Sequence, residues 1–135
     1  LLLNLSQNQF ILLKKLAYEE SPIEAVALLF GSFSKHRFCL EKVVKVANIK
    51  NSKIEFKIDP QIVLKEINNA EKQNLNLIGF FHSHPDLAFP SFIDLQNMKL
   101  WLDYVWIIFS LVQDKMGAYV LANDGLKDVK LKITS

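Results

Sequence analysis

Residues 77–81 read Leu-Ile-Gly-Phe-Phe, an apolar run that closes on His82-Ser83-His84-Pro85. Two histidines one residue apart sit at strand spacing, so their imidazoles leave the backbone on one face. Asp94 follows ten residues after His84, and its neighbours Pro90, Ser91, Phe92, Ile93 and Leu95 read as the start of a helix that turns the carboxylate back toward the histidines. Two imidazoles and one carboxylate suit zinc, and three protein ligands leave its fourth position for water. An open zinc site of that kind is normally catalytic. A bare His-x-His also occurs by chance on exposed strands, and Ser91 and Asp94 have a plainer reading as the two ends of a helix capping box.

The rest of the chain supplies a scaffold. Ser6-Gln7-Asn8-Gln9 has the form of a capping box, and Phe10, Leu13, Leu16 and Ala17 recur at helical spacing, which predicts a helix to about Glu20. Ser21-Pro22 ends it, because the residue before proline is pushed out of helical geometry. Ile23 to Gly31 is apolar except for Glu24 and suits a central strand covered on both sides. Glu24 needs a partner or a watery site if it is buried, and is an ordinary solvent-facing residue of the turn if it is not. Arg37 to Val46 and Ile54 to Ile58 alternate as half-exposed antiparallel strands do, with an Asn/Lys-rich loop between them. Asp59-Pro60 opens a second helix to about Lys72. After the histidine strand, Leu95, Met98 and Leu102 continue the apolar face of the helix starting at Ser91. Strands are then expected over 104–112 and 118–121, with turns at Asp114 to Gly117 and Asn123-Asp124-Gly125, and a final alternating strand from Leu126 to Ile133. This order predicts an α+β domain, a mixed and mainly antiparallel sheet flanked by helices.

With 135 residues, half of them apolar, the chain has room for one domain, 1–135, with a single core. Its 16 basic and 14 acidic residues leave a net charge of +2 with no Lys/Arg block, which does not suggest a nucleic-acid partner. The single cysteine, Cys39, excludes an internal disulfide framework and a Cys-rich structural zinc site. It suits a reducing compartment, so a cytoplasmic location is expected. The apolar stretch from Tyr104 to Val112 is too short to span a bilayer as a helix, and no membrane partner is expected. Leu1 to Leu5 shows neither an initiator Met nor the flanks of a signal peptide, as expected of a trimmed start.

His82-Ser83-His84-Pro85, then Ser91, Phe92, Ile93 and Asp94, with Glu24 far upstream, resembles the signature of the JAMM (MPN+) metalloproteases. The gap from His84 to Ser91 holds six residues, one fewer than the family pattern. Glu24 to Gly31 is similar to the family's strand after its catalytic glutamate, with Ala27 where glycine is common; Glu19 and Glu20 fit that place less well. The resemblance implies a three-layer α/β/α-like, cytidine-deaminase-like fold. It also implies a Zn2+-dependent isopeptidase that cuts ubiquitin-like modifiers or sulfur-carrier proteins from a lysine or peptide amine. His82, His84 and Asp94 would then hold zinc, Glu24 would move the proton, and Ser91 would steady the oxyanion. At this length the chain is similar to a minimal prokaryotic member, without the insertions of eukaryotic deubiquitinases.

Other classes stay open on residues alone. A non-catalytic MPN interaction module typically lacks the ligands present here, a RadC-like DNA-repair relative would want a basic face, and a zinc amidohydrolase for small molecules shares the same motif. Cys39 reads as a small core residue rather than a reactive thiol, Trp101 and Trp106 as core or interface, and His36 as exposed. Phe80, Phe81, Phe89 and Phe92 flank the motif as candidates for an apolar wall along a substrate tail.

Overall fold

Ser6 and Gln9 do form a capping box, each side chain bonding the other's backbone N–H, and a 14-residue helix follows. The computed structural model describes residues 1–135. In chain order the elements are β1 (Leu2–Ser6), α1 (Gln7–Glu20), β2 (Val26–Ser34), β3 (Arg37–Val46), α2 (Pro60–Glu71), β4 (Asn76–His84), α3 (Phe92–Met98), β5 (Val105–Ser110), β6 (Lys115–Ala122), β7 (Gly125–Asp128) and β8 (Lys130–Thr134). The strands make one mixed sheet in the order β7-β6-β5-β4-β2-β3-β1-β8. Four pairings are antiparallel (β2–β3, β2–β4, β5–β6, β6–β7) and three are parallel (β4–β5, β1–β3, β1–β8).

Two of these pairings position the site. Because β4 and β5 run parallel, the chain must cross back between them, and α3 is that crossover. Its N-terminus therefore lies over the C-terminal end of β4, where the histidines are. Because β2 runs antiparallel to β4, with Val26 opposite His82, the residues just before β2 reach the same end of the sheet. At Gly79 any side chain would collide with the Val105 carbonyl, so glycine allows β5 to close against β4.

Ala25 and the successive residues of β2 that follow it feed two separate cores. Ala25, Ala27 and Leu29 pack with Leu13, Leu16 and Ala17 of α1, and with Phe81 and Ile107. Val26, Leu28 and Phe30 pack with Ala70 of α2, Met98 of α3, Phe80 and Trp106. Both faces of the central strands are thus covered, which is why they read as unbroken apolar runs.

Several boundaries depart from the sequence reading. Ile54–Ile58 is not a strand: the Lys57 N–H and the Glu55 carbonyl bond the side chain of Asn48, and Phe56 alone turns fully inward. The alternation there reflects an inward phenylalanine between outward neighbours. Leu126–Ile133 is two strands on opposite edges of the sheet, split at Val129, whose N–H goes to Ala118 while that of Lys130 goes to Leu1. One residue bridges those edges, so the sheet curls until they meet. Leu2–Ser6, unassigned from sequence, is β1, with Leu3 and Leu5 in the core. The strand after Glu24 starts at Val26 and runs on to Ser34, β6 begins at Lys115, and α3 ends at Met98 with Leu102 beyond it.

Candidate metal centre

His82 and His84 end β4 on one face, with their Nε2 atoms 3.1 Å apart. Ser83 faces the other way, where its Oγ accepts the Ala25 N–H at 2.8 Å and its own N–H bonds the Ala25 carbonyl at 3.1 Å. That pair fixes β2 beside β4 and brings the preceding Glu24 to the histidines. Asp94 arrives from α3. Ser91 is the N-cap, its Oγ accepting the Asp94 N–H at 3.1 Å while the Ser91 N–H donates to Asp94 Oδ2 at 2.9 Å. The same Oδ2 lies 3.1 Å from His82 Nε2 and 2.8 Å from His84 Nε2. Capping and convergence are one arrangement, since the bond that starts the helix also aims the carboxylate.

Two imidazole nitrogens and a carboxylate oxygen within 3.1 Å of one another cannot all present lone pairs inward; a proton or a cation belongs among them. A tetrahedral zinc with Zn–N near ~2.0–2.1 Å spaces its ligand atoms about 3.3 Å apart, so a slight expansion of this triangle accommodates it. His84 Nδ1 lies 3.0 Å from the Leu87 carbonyl, which can only accept, so Nδ1 carries the proton and neutral His84 offers its Nε2 lone pair to the centre. These residues fit a metal.

Glu24 forms a second, looser set: its carboxylate and the two histidines bring ligand atoms within 4.8 Å of one another. The tighter triangle belongs to Asp94. Glu24 is 2% exposed and neither carboxylate oxygen has a hydrogen-bond partner within the protein. Burial pushes its carboxyl up to about 8, against the pull of His84 and with the help of Asp94. The competing glutamates are elsewhere, Glu20 in an ion pair with Lys45 at 2.6 Å and Glu19 exposed.

Burial also pushes on the other three. It drives the His82 imidazole down, outweighing the charge and hydrogen bond of Asp94. It would lower His84 too, but the hydrogen bond and charge of Asp94, with Glu24 and the Leu87 carbonyl, leave it above the ordinary value. It would raise Asp94, but the two histidines hold that carboxyl well below the usual carboxylate range.

The walls differ from the sequence reading. Phe56, not among the expected residues, covers His82 with ring centroids 4.7 Å apart, and Trp106 meets the same imidazole edge-on at 6.0 Å. Phe81 is buried in the opposite core, so it is no part of this wall, and Phe80 lies beneath Trp106 rather than at the surface. Phe92 is 77% exposed, and Phe89 is half-exposed against Tyr119. The loop between the second histidine and Ser91 is pinned where Ser110 Oγ bonds the Asp86 carbonyl and Tyr119 bonds that of Ala88.

A mixed sheet that delivers His-x-His from one strand, and carboxylates from a crossover helix and from the lead-in to a neighbouring strand, defines a metal-binding α+β domain. The family model of prokaryotic homologs of the JAB domain matches residues 8–122, and the chain belongs to that family. It is 33% identical over 117 residues to the desampylase of Pyrococcus furiosus, an alignment covering 84% of this chain and 78% of that protein. It is 32% identical over 88 residues to a probable TtuB-protein conjugate cleaving protease of Thermus thermophilus, covering 64% of this chain and 56% of the relative. In three dimensions it is similar to the solution structure of the Desulfitobacterium hafniense protein DSY2949, with a TM-score of 0.87 at 25% identity over 99% of this chain and 94% of that one.

Proposed function

We propose that this protein is a zinc-dependent isopeptidase or peptidase that hydrolyses the bond between the C-terminus of a ubiquitin-like modifier and a lysine or peptide amine. The observation that carries this reading is the Asp94 Oδ2 closing on both histidines beside a buried, unpartnered Glu24 carboxyl. Family membership and the activities for which the two relatives are named, a desampylase and a probable conjugate-cleaving protease, support the substrate class.

In this reading His82, His84 and Asp94 hold Zn2+. When bound, zinc supplies a Lewis acid that polarises the scissile carbonyl and acidifies a water. Glu24 then takes a proton from the nucleophile and passes it to the departing amine, a task for which its buried carboxylate, with no hydrogen-bond partner within the protein and close to both histidines, is placed. Ser91 uses a lone pair of its Oγ to accept the Asp94 N–H, which leaves the hydroxyl proton free to donate to a developing oxyanion. Phe56 and Trp106 keep bulk water from His82 and strengthen the charge interactions there.

The finer fold assignment, three layers of the cytidine-deaminase-like kind in one domain over 1–135, is supported by α1 packing in one core and α2 and α3 in the other. No helix is long and apolar enough to cross a membrane; a cytoplasmic site of action fits the single free cysteine.

The deciding experiment incubates zinc-loaded protein with TtuB joined through its C-terminus to a lysine side chain. Release of intact TtuB and free lysine amine, abolished by chelation and restored by zinc, is the expected result. Full zinc occupancy without cleavage of this or other modifier conjugates would overturn the reading.

A further inference from the structure

Glu24 lies outside the ladder of β2, which begins at Val26, so the sheet does not hold its backbone. Two other contacts do. Its N–H donates to the Ser52 carbonyl at 2.9 Å, and its own carbonyl accepts from Asn48 Nδ2 at 3.2 Å. Both partners belong to the segment that follows β3, and that segment is organised by the same asparagine. Asn48 Nδ2 also donates to the Glu55 carbonyl at 3.1 Å, and Oδ1 accepts the N–H groups of Lys50 and Lys57, each at 3.1 Å.

The carboxamide is therefore fully used, two donors and two acceptors, each with a backbone partner. The amide orientation follows from the partners themselves, since a flip would face Nδ2 to two N–H groups and Oδ1 to two carbonyls. Aspartate has the shape but no donors, and leucine has neither function. Phe56, which covers His82, sits between Glu55 and Lys57, so one side chain ties the backbone of Glu24 to the wall over the histidines.

We infer that Asn48 is a positioning residue for Glu24. It touches neither substrate nor metal ligands and acts by fixing where the Glu24 carboxylate stands. The inference rests on the proposed role of Glu24 as proton carrier. Proton transfer needs a reach of roughly 2.6–3.2 Å, and a displacement of about 1 Å costs on the order of 100-fold in rate.

The test compares wild type with Asn48→Ala and the isosteric Asn48→Asp, which keeps the acceptor half and loses both donors. Zinc per chain, amide hydrogen exchange, and kcat and KM on the TtuB–lysine conjugate are measured on folded, zinc-loaded protein. In both variants zinc stays at about one per chain, KM changes less than about threefold, and kcat falls about 10- to 100-fold. The Glu24 amide exchanges faster in both, while amides of β4 do not change. Wild-type kcat in the variants, loss of zinc in step with activity, or full recovery of kcat in Asn48→Asp would each overturn the inference. Should Asn48→Ala fail to fold, Asn48→Asp alone decides by the same readings. Wild-type protein that holds zinc and cleaves no conjugate removes the functional reading, and this inference with it; cleaving wild type with unaffected variants removes only the inference.

Discussion

His84 Nδ1 lies 3.0 Å from the carbonyl oxygen of Leu87, three residues further along its own chain. A carbonyl can only accept, so the contact selects the tautomer whose Nε2 faces His82 and Asp94. Replacing His84 by alanine removes one corner of the triangle and the tie to the loop. His84→Ala is expected to lose bound zinc and conjugate cleavage together, as read by metal analysis after dialysis. Retention of wild-type zinc would show that the centre lies elsewhere.

Glu24→Gln separates binding from turnover. Glutamine preserves the shape and the backbone ties to Ser52 and Asn48 but cannot carry the proton. Zinc stays near one per chain while kcat falls by roughly 10²–10⁴, the usual range for a general acid–base group. A variant with kcat close to wild type would remove Glu24 from the chemistry.

Local signals made much of this arrangement legible. Ser6 with Gln9, and Asp59 with Pro60, carry their helix starts within four residues, and both helices begin there. Two histidines at strand spacing need only a period of two to share a face. What escaped depends on partners distant in sequence. Asn48 meets Glu24 across the β2–β3 hairpin, and its bonds replace the ladder that Ile54–Ile58 would have needed as a strand. Phe56 covers His82 because of that loop, and nothing in its own neighbourhood marks it. Likewise the alternation of residues 126–133 is the same whether they extend one edge or pass from β7 to β8, and closure of the sheet decides it.

Phe56→Ala tests the wall. The side chain is 8% exposed and packs on His82 and Trp106, so its removal opens space beside that histidine as well as in the core. A loss of about 3 kcal/mol in unfolding free energy is expected, at the lower end for a buried phenylalanine. Zinc affinity should weaken as water reaches His82. Denaturant unfolding and competition with a chelator measure the two effects, and an unchanged zinc affinity would make Phe56 a purely packing residue.

Phe89 tests the outer rim. It is 51% exposed, makes an edge contact with Tyr119, and lies on the loop between His84 and Asp94. Phe89→Ala should leave zinc content unchanged and raise KM for a modifier conjugate several-fold, with kcat little altered, as for loss of uniform binding. Loss of metal in this variant would instead make the phenylalanine part of the loop's internal support.

The metal-free protein should carry the mark of Glu24 in its dependence on pH. A carboxyl held up to about 8 by burial keeps its proton in the folded state, whereas in the unfolded chain it releases it near the ordinary glutamate value of 4.5. Between these values the unfolded state binds fewer protons, so stability falls as pH rises, by at most about 1.4 kcal/mol per pH unit from this group. The contribution is fully present below about pH 4.5 and exhausted above about 8. His82 acts in the opposite sense, its lowered imidazole costing stability as pH falls below its unfolded value, while His84, held above its ordinary value, loses stability as pH rises, so the wild-type curve alone mixes all three. The difference between wild type and Glu24→Gln isolates the glutamate. Denaturant unfolding of the chelated proteins across pH 4.5 to 8 should show glutamine gaining on wild type as pH rises. Parallel curves would mean that Glu24 titrates alike in both states and stands in water rather than in the buried position beside the histidines.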